Sequence, residues 1–405
     1  MTDPKPLREP THDQYDVVID FFPPEAMPEF VYALVKLTYD IKDGRLERSA
    51  VQPLYHDIRD PNLKPRWARG SDFWPIKLWT DVVVRGSAYG PEGRAVRSQR
   101  VVVTVGDGGK AIQVYGDRVV EWPAHGQLRF GAPEPFTKMP LDWDRAYGGW
   151  DRRVDPGFGP NPTVAELSRL EFDHPGMYPR NPFGCGYIVV DEPVDGVPLP
   201  NLEDPAQLLT PETFVTGDPR RWYRQPLPAC FEFTTAMFFH RLCWLGSEAW
   251  FHPPEGAPIA EVELGVLPPD YHLLRGGLNQ APQAMQEAPI GLVFDPLDAG
   301  TPIAVEGMHP ELRRIPFELP APPRLEFHID GKTYPVEPQL TNVLIEPDSP
   351  RVSLTYVARQ FDLPRVFVPG IHAKIPIELR IEGIGTIAYV TPPTLRELRR
   401  GTAPT

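Results

Sequence analysis

FVYALVKLTYDIKDG, residues 30–44, is the stretch whose reading decides the fold. Val31, Ala33, Val35, Leu37, Tyr39 and Ile41 fall on alternate positions. A period of two places them on one face of a strand. Asp43-Gly44 then supplies the residue pair that most favours a tight hairpin turn. The same texture recurs along the chain. DVVVRGSAY (81–89) and Val96–Val105 read as strands, with Gly90–Gly93 as a turn between them. Asp107-Gly108-Gly109 reads as a turn into Ala111–Tyr115, and Gly116-Asp117 leads on to Val119–Trp122. Leu325, Phe327 and Ile329 alternate with polar residues, and Asp330-Gly331 turns the chain into Tyr334 and Val336. Val352–Ala358, Ile375–Ile381 and Glu261–Val266 alternate as well. Short strands separated by turn residues predict antiparallel sheets.

Proline sharpens this. The chain holds 53 prolines in 405 residues, against a usual level of about 5%. Proline lacks an amide donor and breaks helix interiors. The expectation is therefore a mainly β protein of antiparallel, sandwich-like sheets with long Pro/Gly-rich loops. Few short helices are expected. One follows the capping box Thr163–Glu166, others start at Asp204-Pro205 and Thr210-Pro211, and a basic one opens at Thr394. Arg220–Gly246 stays open between helix and buried strand. Length admits two units: a β-rich unit over 1–216 and a second over 217–405.

The stretch 139–187, MPLDWDRAYGGWDRRVDPGFGPNPTVAELSRLEFDHPGMYPRNPFGCGY, has almost no periodicity. Long irregular segments in compact domains are usually functional or disordered. Trp143, Tyr147, Trp150, Phe158, Phe172, Tyr178, Phe183 and Tyr187 argue for order.

A net charge of −13 argues against a nucleic-acid or anionic-membrane surface. No uncharged apolar run approaches membrane-spanning length, and MTDPKPLREPTHD is not a secretory signal; a cytoplasmic location is expected. Three cysteines, Cys185, Cys230 and Cys243, are too few for a disulfide framework.

Reactive constellations are sparse. Cys185 with His174 would make a thiol nucleophile and base; a small buried hydrophobe is the plainer reading of that cysteine. Asp173-His174, or Asp142 with Asp144, would serve a metal or acid–base chemistry. Carboxylates in loops more often cap turns, and no histidine pair has ligand spacing. Gly157-Phe158-Gly159 and Gly184-Cys185-Gly186 lack the strand–helix setting of a phosphate loop, so turns are the favoured reading. Arg145 either binds a ligand carboxylate or pairs with Asp142 or Asp151. No cofactor and no metal are expected.

PIKLWTDVVVRGSAY (75–89), VYGDRVVEW (114–122), MPLDWDRAYGGWD (139–151) and RNPFGCGY (180–187) occur in this order. Together they resemble the bacterial "domain of unknown function 2169" family. The resemblance is dense from Phe30 to Asn201, weakens to Gly277 and is not visible beyond. It departs from shorter members at Arg220–Gly246, where they carry a proline-rich loop with an Asp-Gln pair. Such proteins are described as accessory or adaptor proteins of type VI secretion systems. The resemblance thus implies a non-catalytic cytoplasmic adaptor that binds an effector or spike-tip protein for loading. The alternatives are a hydrolase-like or lyase-like enzyme using Cys185, His174 and Asp142/Asp144, and a carbohydrate-binding β-sandwich. The motif residues Trp143, Arg145, Tyr147, Gly148, Gly149, Trp150, Asn181, Pro182, Gly184 and Gly186 are the candidate site. Those of RAYGG and NPFGCG are expected to lie together, with Asn181 capping a turn and Trp143, Tyr147 and Trp150 as exposed anchors. Nothing in the sequence sets the oligomeric state.

Overall fold

A computed structural model describes residues 15–22, 30–50, 52–54, 72, 77, 79–154, 176–178, 181, 183–218, 224–233, 286–289, 291–329, 331–361, 377–383 and 385–388. The chain is mainly β. Among the described residues the helical content is two single 3-10 turns, Pro91–Gly93 and Trp143–Arg145. The expected helix starts at Asp204 and Thr210 are one-turn loops instead. The amides of Gln207 and Thr213 return to the carbonyls of Asp204 and Thr210, and the chain then moves on. The expected helices at 163–170 and from 394, and the strand at 261–266, lie outside the described residues.

Three sheets carry the fold. The main sheet runs Tyr15–Phe22, Phe30–Lys42, Arg351–Gln360, Gln339–Glu346, Thr80–Val84 and Val293–Phe294, with Arg45–Arg48 also paired to Phe30–Lys42. Its pairs are antiparallel except Thr80–Val84 beside Gln339–Glu346, which is parallel. The second sheet runs Leu202–Glu203, Gly108–Tyr115, Ser98–Val105, Pro302–Glu306 and Arg314–Glu318; the third runs Lys332–Val336, Leu325–Ile329, Ile377–Ile381 and Gly385–Ala388.

Both predicted hairpins form. Asp43 and Gly44 take φ of 49° and 77°, the paired positive values of a turn that matches strand twist. Gly331 closes the other at φ 73°. The turn expected at 107–109 sits one residue earlier, at Gly106-Asp107, and Gly108 and Gly109 begin the next strand. The strand expected over 81–89 is two. It breaks at Arg85-Gly86, after which Ser87–Tyr89 pairs with Lys138–Pro140.

Inward-facing residues of all three sheets share one core. Val31, Val35, Val103, Ile112, Val305, Phe327 and Leu379 all belong to it. The boundary expected near residue 216 is crossed by this arrangement. Phe30–Lys42 lies against Arg351–Gln360, Thr80–Val84 against Gln339–Glu346, and Ser98–Val105 against Pro302–Glu306. The two halves therefore do not make separate sheet systems. Strands distant in sequence close the sheets, and their texture does not reveal which will pair.

The period of two says nothing of the other face of Phe30–Lys42. It is buried too. Phe30, Tyr32 and Leu34 pack there with Val18, Leu54 and Val357, and Lys36 and Thr38 follow them under cover.

Candidate functional site

Lys36 begins a row that crosses the main sheet. Asp16 pairs in register with Lys36, Lys36 with Thr355, Thr355 with Asn342, and Asn342 with Asp81. Directly opposed residues share a face, so five polar side chains line up across five strands. Each is at most 2% exposed. Burying charge is tolerated when it is paired or hydrogen-bonded, and each charge of the row has such a partner, while Asp81 Oδ1 meets none among the described residues. Asp16 accepts from the amides of Val17 and Leu54 at 2.9 and 2.7 Å. Lys36 Nζ meets Asp72 Oδ2 at 2.6 Å, and Thr355 donates to the other Asp72 oxygen at 2.9 Å. Lys77 Nζ donates to Asn342 Oδ1 and lies against Asp81 Oδ2, both at 2.6 Å, with Glu287 Oε2 at 3.6 Å. The Glu287 amide closes onto Asp81 Oδ2 at 2.6 Å. Burial lowers the Arg359 guanidinium to about 10; this group donates to the Lys77 carbonyl at 2.6 Å. The Lys77…Thr80-Asp81 part of the motif is thus a buried ion pair whose lysine also hydrogen-bonds Asn342 on the neighbouring strand.

The second motif cluster is a backbone junction. Tyr147 and Gly148 pair in parallel with Cys185 and Gly186. Gly149 N donates to Asn181 O at 2.8 Å, Cys185 N to Ala146 O at 3.1 Å and Tyr187 N to Gly148 O at 2.9 Å. Side chains would not fit. A Cβ on Gly148 would stand 2.1 Å from Asn181 O, one on Gly149 2.3 Å from Gly184 O, and one on Gly184 2.4 Å from Ala146 O. Gly186 faces Pro200 at 2.8 Å in the same sense. RAYGG and NPFGCG are therefore brought together, as expected. Pro182 lies outside the described residues. Asn181 does not cap its own turn through its side chain. Its amide reaches across instead, donating to the carbonyls of Trp143 and Tyr147 at 2.8 and 3.1 Å.

Behind the junction sits a tyrosine cluster. Tyr147 packs edge-on against Tyr178 and Tyr187, with ring centroids 5.2 and 6.4 Å apart. Tyr147 is 1% exposed and donates its hydroxyl to Gln225. It is core, not the exposed anchor expected, because a ring among two others gains more from burial and edge contacts than from solvent. Trp143 is partly buried and donates its indole N–H to Phe233 O at 2.9 Å. Trp150 is half-buried. Arg145 pairs with neither Asp142 nor Asp151. It reaches Asp117 at 3.2 Å and Asn201 Oδ1 at 3.0 Å. Asp151 is taken by Arg153 and by the amides of Val189 and Val190. Burial raises that carboxyl, and these donors outweigh it to leave the pKa below the ordinary value.

The candidate reactive groups are distinct from this. Burial, with Asp144 adding to it, pushes the Cys185 thiol up to about 12, the wrong direction for a thiolate nucleophile. Among the described residues no histidine is hydrogen-bonded to it; His174 lies outside them. Cys230 is buried and its thiol donates to Leu141 O at 3.1 Å. Asp142 differs. Burial, then Glu232 and Asp144, raise it to about 7 against the opposing pull of Arg145 and Arg85. A carboxyl raised by the fold favours the folded state below its ordinary value near 4, and that advantage is lost as pH rises toward 7. Asp142→Asn is therefore expected to raise the unfolding free energy at pH 8 by on the order of 2 kcal/mol, after discounting for partial exposure. It should also flatten the stability profile between pH 4 and 7. Urea titrations at both ends of that window check this; an unchanged profile contradicts it.

Sequence reasoning missed Asn201, Gln225, Lys36 and Asp72. Lys36 carried a signal, a lysine inside an otherwise apolar strand; the others follow only from strand placement.

Fold and site together define a multi-sheet β scaffold whose motif residues fasten backbone to backbone. The chain belongs to a family of proteins described as uncharacterized and conserved in bacteria (DUF2169), whose family model matches residues 27–357. No curated protein and no solved structure matches it. The family match extends past Gly277, where the resemblance was expected to end. The reason lies in the sheet: Gln339–Glu346 and most of Arg351–Gln360 fall inside the match and supply its central strands. Among the described residues no helix is long and apolar enough to cross a membrane.

Proposed function

We propose that this protein is a non-catalytic adaptor of a type VI secretion system, acting in the cytoplasm to hold an effector or spike-tip protein for loading. The resemblance of the motifs to such accessory proteins suggests the system. One observation carries the non-catalytic part: the motif side chains are spent on the junction itself. Asn181 bridges two carbonyls, the glycines permit close backbone approach, and Tyr147 is interior. What such a site offers a partner is a rigid, shaped surface. Preorganised surfaces lose little entropy on binding.

The partner surface is assigned to the half-buried side of this loop system, with Trp150 as its anchor and Trp143 supporting it. Tryptophan at such a position is a common source of binding energy. Trp150→Ala is expected to weaken partner capture by at least tenfold, about 1.4 kcal/mol, with little change in Tm. Trp143→Ala is expected to lower Tm as well, since the bond to Phe233 O is lost. Capture unchanged by both would move the binding surface elsewhere on the scaffold.

The genetic test is secretion. In a strain lacking the gene, the cognate effector should remain in the cells while other secreted proteins leave normally. Unchanged secretion of every effector would overturn the adaptor reading. The hydrolase-like alternative draws its one support from Asp142, whose value near neutrality suits a general acid. The raised Cys185 thiol weighs against its nucleophile.

A further inference from the structure

Residues 141–145 and 230–233 meet along a seam. The Cys230 thiol donates to Leu141 O at 3.1 Å, and the Trp143 indole N–H donates to Phe233 O at 2.9 Å. Carboxyls gather between these two ties. Asp142 and Asp144 flank Trp143 on one side, and Glu232 precedes Phe233 on the other. Glu232 and Asp144 both act on Asp142 through space, and like charges at such range oppose one another's ionisation.

Compensation is short. Arg85 is committed to Glu232, Nε to Oε1 at 2.9 Å. Arg145, the cation of the turn itself, reaches away to Asp117 and Asn201. Asp142 stands at the N-cap position of the Trp143–Arg145 turn, where a carboxylate ordinarily accepts an amide. It makes no side-chain cap bond there. Asp144 Oδ1 is buried and meets no hydrogen-bond partner among the described residues. Cys230 also faces the seam, with Lys110 and Asp204 behind it, and Cys185 lies beside Asp144. Burial pushes both thiols up, so neither adds a negative charge. An ionised Asp142 therefore places a charge where no donor meets it, and a neutral one removes that cost.

We infer that Asp142 operates a proton-linked clasp: protonated, it lets residues 141–145 close on residues 230–233, and ionised, it repels Asp144 and Glu232 and loosens the turn that positions Trp143. The clasp does not depend on the adaptor reading. Its consequence, weaker partner capture through Trp143 at higher pH, does rest on that reading. The sign follows from the carboxyl, which the fold raises to about 7. The closed clasp is fully favoured below the ordinary carboxylate value of about 4, and that advantage is lost as pH rises to 7.

Hydrogen exchange on the free, full-length protein reads the clasp apart from any partner. The reporters are the Arg145 amide, on Asp142 O at 3.1 Å, and the Ala146 amide, on Trp143 O at 3.2 Å. Their protection, corrected for the intrinsic pH dependence of exchange, is expected to fall about tenfold from pH 5 to pH 8. That is a discounted share of the roughly hundredfold a fully buried group would give. Asp142→Asn carries no charge at either pH and should keep its pH 5 protection at pH 8. Glu232→Gln keeps an acceptor for Arg85 while removing a neighbouring charge, and should shrink the fall. Three results would each overturn the clasp: wild-type protection that does not fall, an equal fall in the amides of Gln339–Glu346, which would place the effect in global stability, or a full wild-type fall in either variant.

Discussion

Replacing Lys77 with methionine is expected to lower the unfolding free energy by about 3–5 kcal/mol, the usual cost of removing one partner from a buried ion pair. Lys77 is 1% exposed and Asp81 and Glu287 are fully buried. The ammonium is the cation both carboxylates face, and it also donates to Asn342. Methionine has nearly the same length and fills the space, so the loss reports charge rather than a cavity. The double replacement Asp81→Leu with Glu287→Leu on the Lys77→Met background should recover most of it, since an apolar substitute for a whole buried pair is often neutral or stabilising. Guanidinium denaturation of the three proteins separates the cases. A loss below about 1 kcal/mol for Lys77→Met, in the range of exposed pairs, would mean that water reaches this cluster and that the row is not sealed.

Gly148→Ala is the second large effect, about 3 kcal/mol or more, from a backbone clash added to an unfavourable φ. Gly148 sits at φ 149°, and its missing Cβ would lie 2.1 Å from Asn181 O. That carbonyl also receives Gly149 N, so moving it undoes the link between the two motifs. Gly196→Ala is the control. Gly196 has φ 76° and open space around it, so only the conformational cost of about 1–2 kcal/mol remains. Equal losses at the two positions would show that the junction is not tightly closed.

The strands were legible wherever one residue in two was apolar, as in Val31–Ile41 and Leu325–Ile329, and where Asp-Gly marked a turn. Pairing partners were not. Arg351–Gln360 belongs beside Phe30–Lys42, and Thr80–Val84 beside Gln339–Glu346, contacts set by packing across the whole chain rather than by local texture. Sheet pairing accordingly crosses residue 216, near which the texture suggested a boundary. At the candidate site, the crowding of glycine and asparagine in RAYGG and NPFGCG correctly marked two loops that meet. The aromatics misled. Tyr147 reads the same in sequence whether it faces solvent or core, and three tyrosines in contact chose the core. The Lys77–Asp81 link was visible only as a motif, because a charge in a strand reveals its burial through partners that lie hundreds of residues away, such as Asn342 and Glu287.

The central claim is that this scaffold holds a secreted protein rather than transforming a substrate. Its most direct measurement is affinity purification of the tagged full-length protein from its native cells at physiological salt, with mass-spectrometric identification of what remains bound. The account predicts a type VI effector or spike-tip protein in near-stoichiometric amount. Recovery of the chain with neither of these would contradict it.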